Sequence, residues 1–187
     1  MKNLGDLGED GLIEKLCADL PTHEGVLVGP GDDCAVVGFG DAQCLLKTDA
    51  VVAGVHFLPQ EDPRRVGRKA VARVLSDFAA MGGLPGEFLV TIALAPEVAV
   101  NWVEELYAGM KSCLEQLGGV IVGGETTSLP MGAPTMISVA GRGRIGPHGV
   151  VTRSAGKPGD HVYVTGRLGA SIKGKHLDFT PRLEEAQ

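Results

Sequence analysis

Several carboxylates stand where an apolar pattern leaves little room for them. Asp32 and Asp33 precede a strand that begins at Cys34, and Asp49 follows Leu45-Leu46-Lys47-Thr48. Asp77 interrupts a helical run between Val74-Leu75-Ser76 and Phe78-Ala79-Ala80-Met81, and Glu125 follows Val120-Ile121-Val122-Gly123-Gly124. Asp77 lies about a turn from the helix C-terminus, whose partial negative charge disfavours an anion by ~0.3–1 kcal/mol. Burial without a partner would add several kcal/mol more (about 2 or above). A cation converts both penalties into attraction. That cation could be Arg73 or Lys69 on the same helix, or a metal ion; simple exposure would also suffice. Glu125 could equally be a helix cap or an exposed loop acid.

Taken together, the acids favour the metal. Residues at the ends of neighbouring strands converge at one sheet edge, where unshielded carboxylates repel one another. Hard oxygen donors from Asp, Glu and hydroxyls such as Thr48 suit Mg²⁺ better than zinc. Cys17, Cys34, Cys44 and Cys113 show no C-x-x-C spacing, and the five histidines form no H-x-x-x-H pair. Reduced thiols are therefore expected. A Mg²⁺ cluster without a P-loop suggests an enzyme that grips nucleotide phosphates through metal.

Two nucleotide motifs are rejected. Gly141 to Gly146 matches G-x-G-x-x-G, but Arg144-Ile145 continues a strand and Pro147 follows, so no helix opens inside it. Gly169 to Lys175 reads G-x-x-x-x-G-K but is followed by His176 instead of Ser or Thr, with no room for a phosphate-facing helix.

These residues need a frame. Glu9 to Leu20 reads as an amphipathic helix, and Gly29 to Asp33 as a turn. Cys34 to Val37 and Gln43 to Thr48 read as a hairpin, with Ala50 to Phe57 extended after it. Asp62-Pro63 opens a long helix closed by Gly82-Gly83. Glu87 to Ala95 is a strand, Ala99 to Leu117 a helix, Val120 to Val122 a short buried strand and Thr135 to Ile145 another. His161 to Thr165 is expected as the last strand, and Thr180-Pro181 as a helix start. The order is α+β, a mixed or antiparallel sheet with helices.

The chain has 187 residues and a net charge of −6, which argues against a general nucleic-acid binder. No apolar run spans a bilayer and no signal-like block follows Met1, so no membrane partner is expected and the default compartment is the cytoplasm. Its 28 glycines suggest tight turns that let backbone approach a small ligand, or merely a GC-rich genome. The helix start near the last residue suggests a fragment.

Four stretches occur in the order found in thiamine-monophosphate kinases: Gly31–Val36, Thr48–Phe57, Ser76–Gly82 and Gly123–Thr127. Thr152–Asp160 and Tyr163–Gly166 extend the likeness. The chain thus resembles that family, which belongs with aminoimidazole ribonucleotide synthetase and selenophosphate synthetase. The resemblance implies transfer of the γ-phosphoryl of ATP to thiamine monophosphate, giving thiamine diphosphate. It implies an N-terminal α/β domain whose helices cover one sheet face and whose barrel is completed at a homodimer interface. It implies residues 1–150 as the ATP- and Mg-binding, dimerising domain, and 151–187 as a linker and the start of a C-terminal domain largely missing here.

By motif, the resemblance implies Asp33, Thr48, Asp49, Asp77 and Glu125 as magnesium ligands. It likewise implies Tyr107, Gly124, Glu125 and Arg153 as ATP contacts, with Tyr107 matched only by its distance from Asp77. His56 is implied as a contact to thiamine monophosphate, though a packed strand histidine is the alternative. Two residues depart from the family. Glu125 replaces the usual Asp, and Lys47 stands where a small hydroxyl residue is common. Such a lysine could displace a metal or bind phosphate itself. Little turnover is expected of these 187 residues alone. The alternatives are another ATP-using synthetase of the superfamily and a non-catalytic dimerising domain.

Overall fold

The computed structural model describes residues 3–187. Helix α1 (Leu4–Cys17) is capped by Asn3, kinks at Gly8 and buries none of its residues. Strands β1 (Val26–Val28), β2 (Ala35–Phe39) and β3 (Ala42–Val52) form an antiparallel meander. Helix α2 (Pro63–Ala80) follows, then β4 (Gly83–Leu94), α3 (Val100–Leu117), β5 (Val120–Ser128) and β6 (Met136–Ile145). The six strands make one sheet in the order β1-β2-β3-β6-β4-β5. Among the described residues, β4–β5 is the one parallel strand pair. The architecture is α+β with α2 and α3 on one face.

Helix α2 forms where the sequence predicts it. The Asp62 carboxylate accepts the Arg64 N–H at 2.9 Å, and Pro63 occupies the first helical position. Its apolar stripe, Val66, Ala70, Val74 and Phe78, is fully buried against Leu45, Phe88, Val90 and Val139 of the sheet. Helices α2 and α3 cross backbone to backbone. A Cβ at Gly67 would stand 2.0 Å from the Leu106 carbonyl, and one at Gly109 would stand 2.1 Å from that of Arg64. Only glycine permits that approach.

Several expectations need correction. The two extended stretches 43–48 and 50–57 are one strand, β3, that ends at Val52 and gives way to a tight loop. Strand β5 is longer than the expected Val120–Val122 and exposed along almost its whole length, because it is an edge strand. Residues 161–165 form no strand; Val162, Tyr163 and Val164 are exposed and find no neighbouring strand to pair with. Thr180-Pro181 leads into a turn rather than a helix. Beyond Ile145 the only α-helix is the single turn α4 (Lys175–Asp178), which docks on α2 through Leu177 and two Arg65–Asp178 hydrogen bonds of 2.7 and 3.0 Å.

The two rejected nucleotide motifs fare as expected. Gly141 to Ile145 lies within β6, and Gly169 to Lys175 precedes a helix of only four residues.

Candidate functional site

Three carboxylates of the predicted set gather on the helix-covered face. Asp33 ends the turn before β2, Asp49 lies on β3 and Asp77 on the last turn of α2. The Cys34 N–H donates to the Met81 sulfur at 2.9 Å, tying that turn to the end of α2. Each carboxylate meets a cation. Lys47 Nζ stands 2.6 Å from Asp77 Oδ2. Arg73 donates two hydrogen bonds to Asp49, of 2.7 and 2.8 Å. Arg153 Nη2 donates to Asp33 Oδ1 at 2.5 Å, while its backbone N–H donates to Asp32 at 3.1 Å.

Neither helix cation offered as an alternative partner for Asp77 takes that place. Arg73 turns instead to Asp49, and Lys69 donates to the His56 carbonyl at 2.5 Å. An acid four residues along a helix invites the local pairing, but here the arginine makes two hydrogen bonds to the strand acid Asp49.

The electrostatics record how close these groups are. Burial pushes the Asp77 carboxyl above the ordinary range; Lys47 opposes the shift, and the charges of Asp33 and Asp49 add to it. Burial, reinforced by Asp77, Asp33 and Asp32 against Lys47, pushes the Cys34 thiol up to about 12.

His56 joins this group from the loop after β3. Gly54, at φ +78°, lets the loop turn back so that its N–H meets the Phe57 carbonyl at 2.8 Å. The Val52 N–H donates to His56 Nδ1 at 3.1 Å, which leaves the ring proton on Nε2. Burial holds the imidazole below its usual range, helped by Arg73 and Lys69 and opposed by Asp49. Beside this loop opens a cavity of about 450 Å³, lined by Phe57, Trp102 and Glu97, which no motif announces.

The other predicted residues are elsewhere. Strand register puts Thr48 and Glu125 on the uncovered face, opposite Asp49. The Thr48 hydroxyl lies 3.4 Å from that of Ser138. Glu125 pairs across to Thr91 inside β5 rather than following a strand end. That strand is three places from β3, roughly 14 Å at about 4.8 Å per strand. Gly124 has a packing reason: a Cβ there would stand 1.9 Å from the Val90 carbonyl. Tyr107 lines a groove with Lys111, Leu114 and Val120 on the α3–β5 side, and burial raises its phenol. Asp33, Asp49 and Asp77 thus come together, though from inside β3 and from α2 rather than from neighbouring strand ends, and Thr48 and Glu125 lie apart from them.

Among the described residues, no three His, Cys, Asp or Glu side chains stand close enough to cage a metal ion by themselves. Mg²⁺ commonly needs only one or two carboxylates and completes its shell with water and phosphate oxygens. The donors here, Asp33, Asp49 and Asp77, are of the hard type it prefers.

Residues 31–145 match the family described as AIR synthase related protein, N-terminal domain. The chain is similar to the thiamine-monophosphate kinase of Escherichia coli K12, 38% identical over 156 residues, covering 80% of this chain and 45% of the relative. It is similar to that of Synechococcus elongatus at 31% identity, covering 92% of this chain and 51% of the relative. Among solved structures it resembles one described as AaThiL complexed with AMPPCP and TMP, with a TM-score of 0.84 and 29% identity, covering 100% of this chain and 63% of that one. The chain thus spans about half the length of these curated relatives.

Proposed function

Because the chain belongs to the AIR synthase related family, whose N-terminal domain it carries, we propose that it forms the nucleotide-binding half of a thiamine-monophosphate kinase. The reaction is transfer of the γ-phosphoryl of ATP to thiamine monophosphate. One observation carries this reading. Asp33, Asp49 and Asp77 meet Lys47, Arg73, Arg153 and His56 on one face of the sheet, in a chain whose curated relatives bear that name. The related structure with AMPPCP, an ATP analogue, and TMP supports the choice of substrates.

The acceptor is already a phosphate anion, so no strong base is required; alignment and charge neutralisation carry the step. Asp49 and Asp33 would hold Mg²⁺, which neutralises phosphate charge when bound, while Asp77 borders the site in its pair with Lys47. Arg153 is mostly exposed and can turn from Asp33 to a phosphate oxygen. The neutral His56 ring presents its Nε2 proton, suited to donate a hydrogen bond to the phosphate of the acceptor. Residues 151–187 read as a linker and the beginning of a second domain.

The uncovered sheet face carries exposed Leu46, Leu89 and Val122. A second copy that covers it would give a homodimer and place Thr48 and Glu125 at the interface. Roles for those two residues and for Tyr107 in metal or nucleotide binding depend on such closure. No described helix is long and apolar enough to cross a membrane, and a kinase drawing on ATP fits the cytoplasm.

The test is transfer of label from γ-radiolabelled ATP to thiamine monophosphate. Little turnover is expected from the 187 residues alone. Transfer should appear when the other half of a curated relative is supplied as a separate polypeptide. Absence of transfer, together with no Mg²⁺-dependent binding of AMPPCP, would overturn the reading.

A further inference from the structure

The cations on the carboxylate cluster are not equivalent. Arg153 reaches Asp33 from outside the sheet, with 64% of its side chain exposed. Arg73 reaches Asp49 from α2, the helix that also carries Asp77. Lys47 comes from the sheet floor; its side chain is only 25% exposed, and that of Asp77 is 23% exposed. It is also the cation that acts on both Asp77 and the buried Cys34 thiol, amid Asp33 and Asp32. A compact ammonium seated on a half-buried carboxylate occupies the volume and charge complement that a divalent ion would need. An ion arriving at Asp77 meets like charge a few ångströms away, in surroundings that screen it less than water does.

We propose that Lys47 is a resident cation of the cluster, holding Asp77 against a divalent ion, so that the site takes one ion fewer than its carboxylates could bind. This rests on the reading that the cluster meets a divalent cation at all, and the test separates the two.

Mn²⁺ bound to the purified 187-residue chain is counted from the paramagnetic resonance of the free ion, without nucleotide and without any assay of turnover. Lys47→Ser should bind one more Mn²⁺ per chain than the parent, with the half-saturating concentration falling about tenfold. Lys47→Arg should match the parent. Asp77→Asn in the Lys47→Ser background should remove the added ion. Should Lys47→Ser leave the chain unfolded by circular dichroism, Lys47→Gln keeps a hydrogen-bond donor for Asp77 and carries the same comparison. Equal stoichiometry and affinity in the parent and the serine or glutamine variant would overturn the inference while leaving the metal reading intact. No Mn²⁺ bound to either protein would overturn both.

Discussion

Phe88 and Leu89 are neighbours on β4, yet they live in different surroundings: the first is 0% exposed under the helices, the second 51% exposed on the other face. The same division runs across the sheet. Asp49 and Lys47 point to the covered face among ion pairs, whereas Thr48 between them points to the bare one. A strand of period two sends adjacent residues to opposite fates, so a motif read as a continuous string mixes two chemistries. Thr48-Asp49 is such a string.

The sharpest break of this comparison is a pair of truncations. Phe88→Ala should cost about 3–5 kcal/mol in chemical denaturation, from lost burial and the cavity left behind. Leu89→Ala should change the stability of the single chain by no more than about 0.5 kcal/mol, while weakening the proposed self-association, read by light scattering. Equal losses of stability would mean that the face of Leu89 is covered within one chain.

Next in size is the response to magnesium. A ligand that binds only the folded chain adds about 1.4 kcal/mol at ten times its Kd, read as a rise in the thermal midpoint. Asp49→Asn should abolish that rise and Thr48→Ala should leave it. If the two variants behaved alike, both faces would serve one site.

The pH dependence of stability is smaller. The folded-state value for Asp77 is raised, so the folded chain holds its proton where the unfolded chain has lost it. That contribution is fully present below the ordinary aspartate range and fades as pH rises through the higher folded value. Asp77→Asn should therefore flatten the stability profile on the mildly acidic side, measured by denaturation at a series of pH values. A steeper profile would contradict the burial of this carboxyl.

Smallest is thiol reactivity. With Cys34 pushed up to about 12 and buried, alkylation at neutral pH should modify the partly exposed Cys17 first and leave Cys34 intact, as peptide mass mapping would record. Early labelling of Cys34 would mean that its turn opens easily.

Legibility from sequence followed the range of the forces involved. Helix α2 was readable because its cap, its proline and its apolar stripe are all local. The extent of β5 was not, since an edge strand has no buried alternation to announce it. Asp33, Asp49 and Asp77 could be chosen as acids in apolar settings and His56 by the motif it shares with a known family, and the fold brings them together. The partner of each acid could not be chosen, because Lys47 and Asp77 lie on different elements and only the β3–α2 packing joins them. The separation of Glu125 from Asp49 was hidden for the complementary reason: it depends on β6 and β4 lying between, and strand order is not written in any one segment.

The contact of α2 with α3 at Gly67 and Gly109 has a mechanical consequence. Most packed helices meet through side chains, and a small slide is absorbed when those side chains change rotamer. Here main chain bears on main chain, so the joint has no compliant layer. Sliding α2 along its axis would drive Arg64 or Arg68 against the backbone of the other helix. A displacement of α2 along its axis would therefore be passed to α3 with no side-chain layer to absorb it.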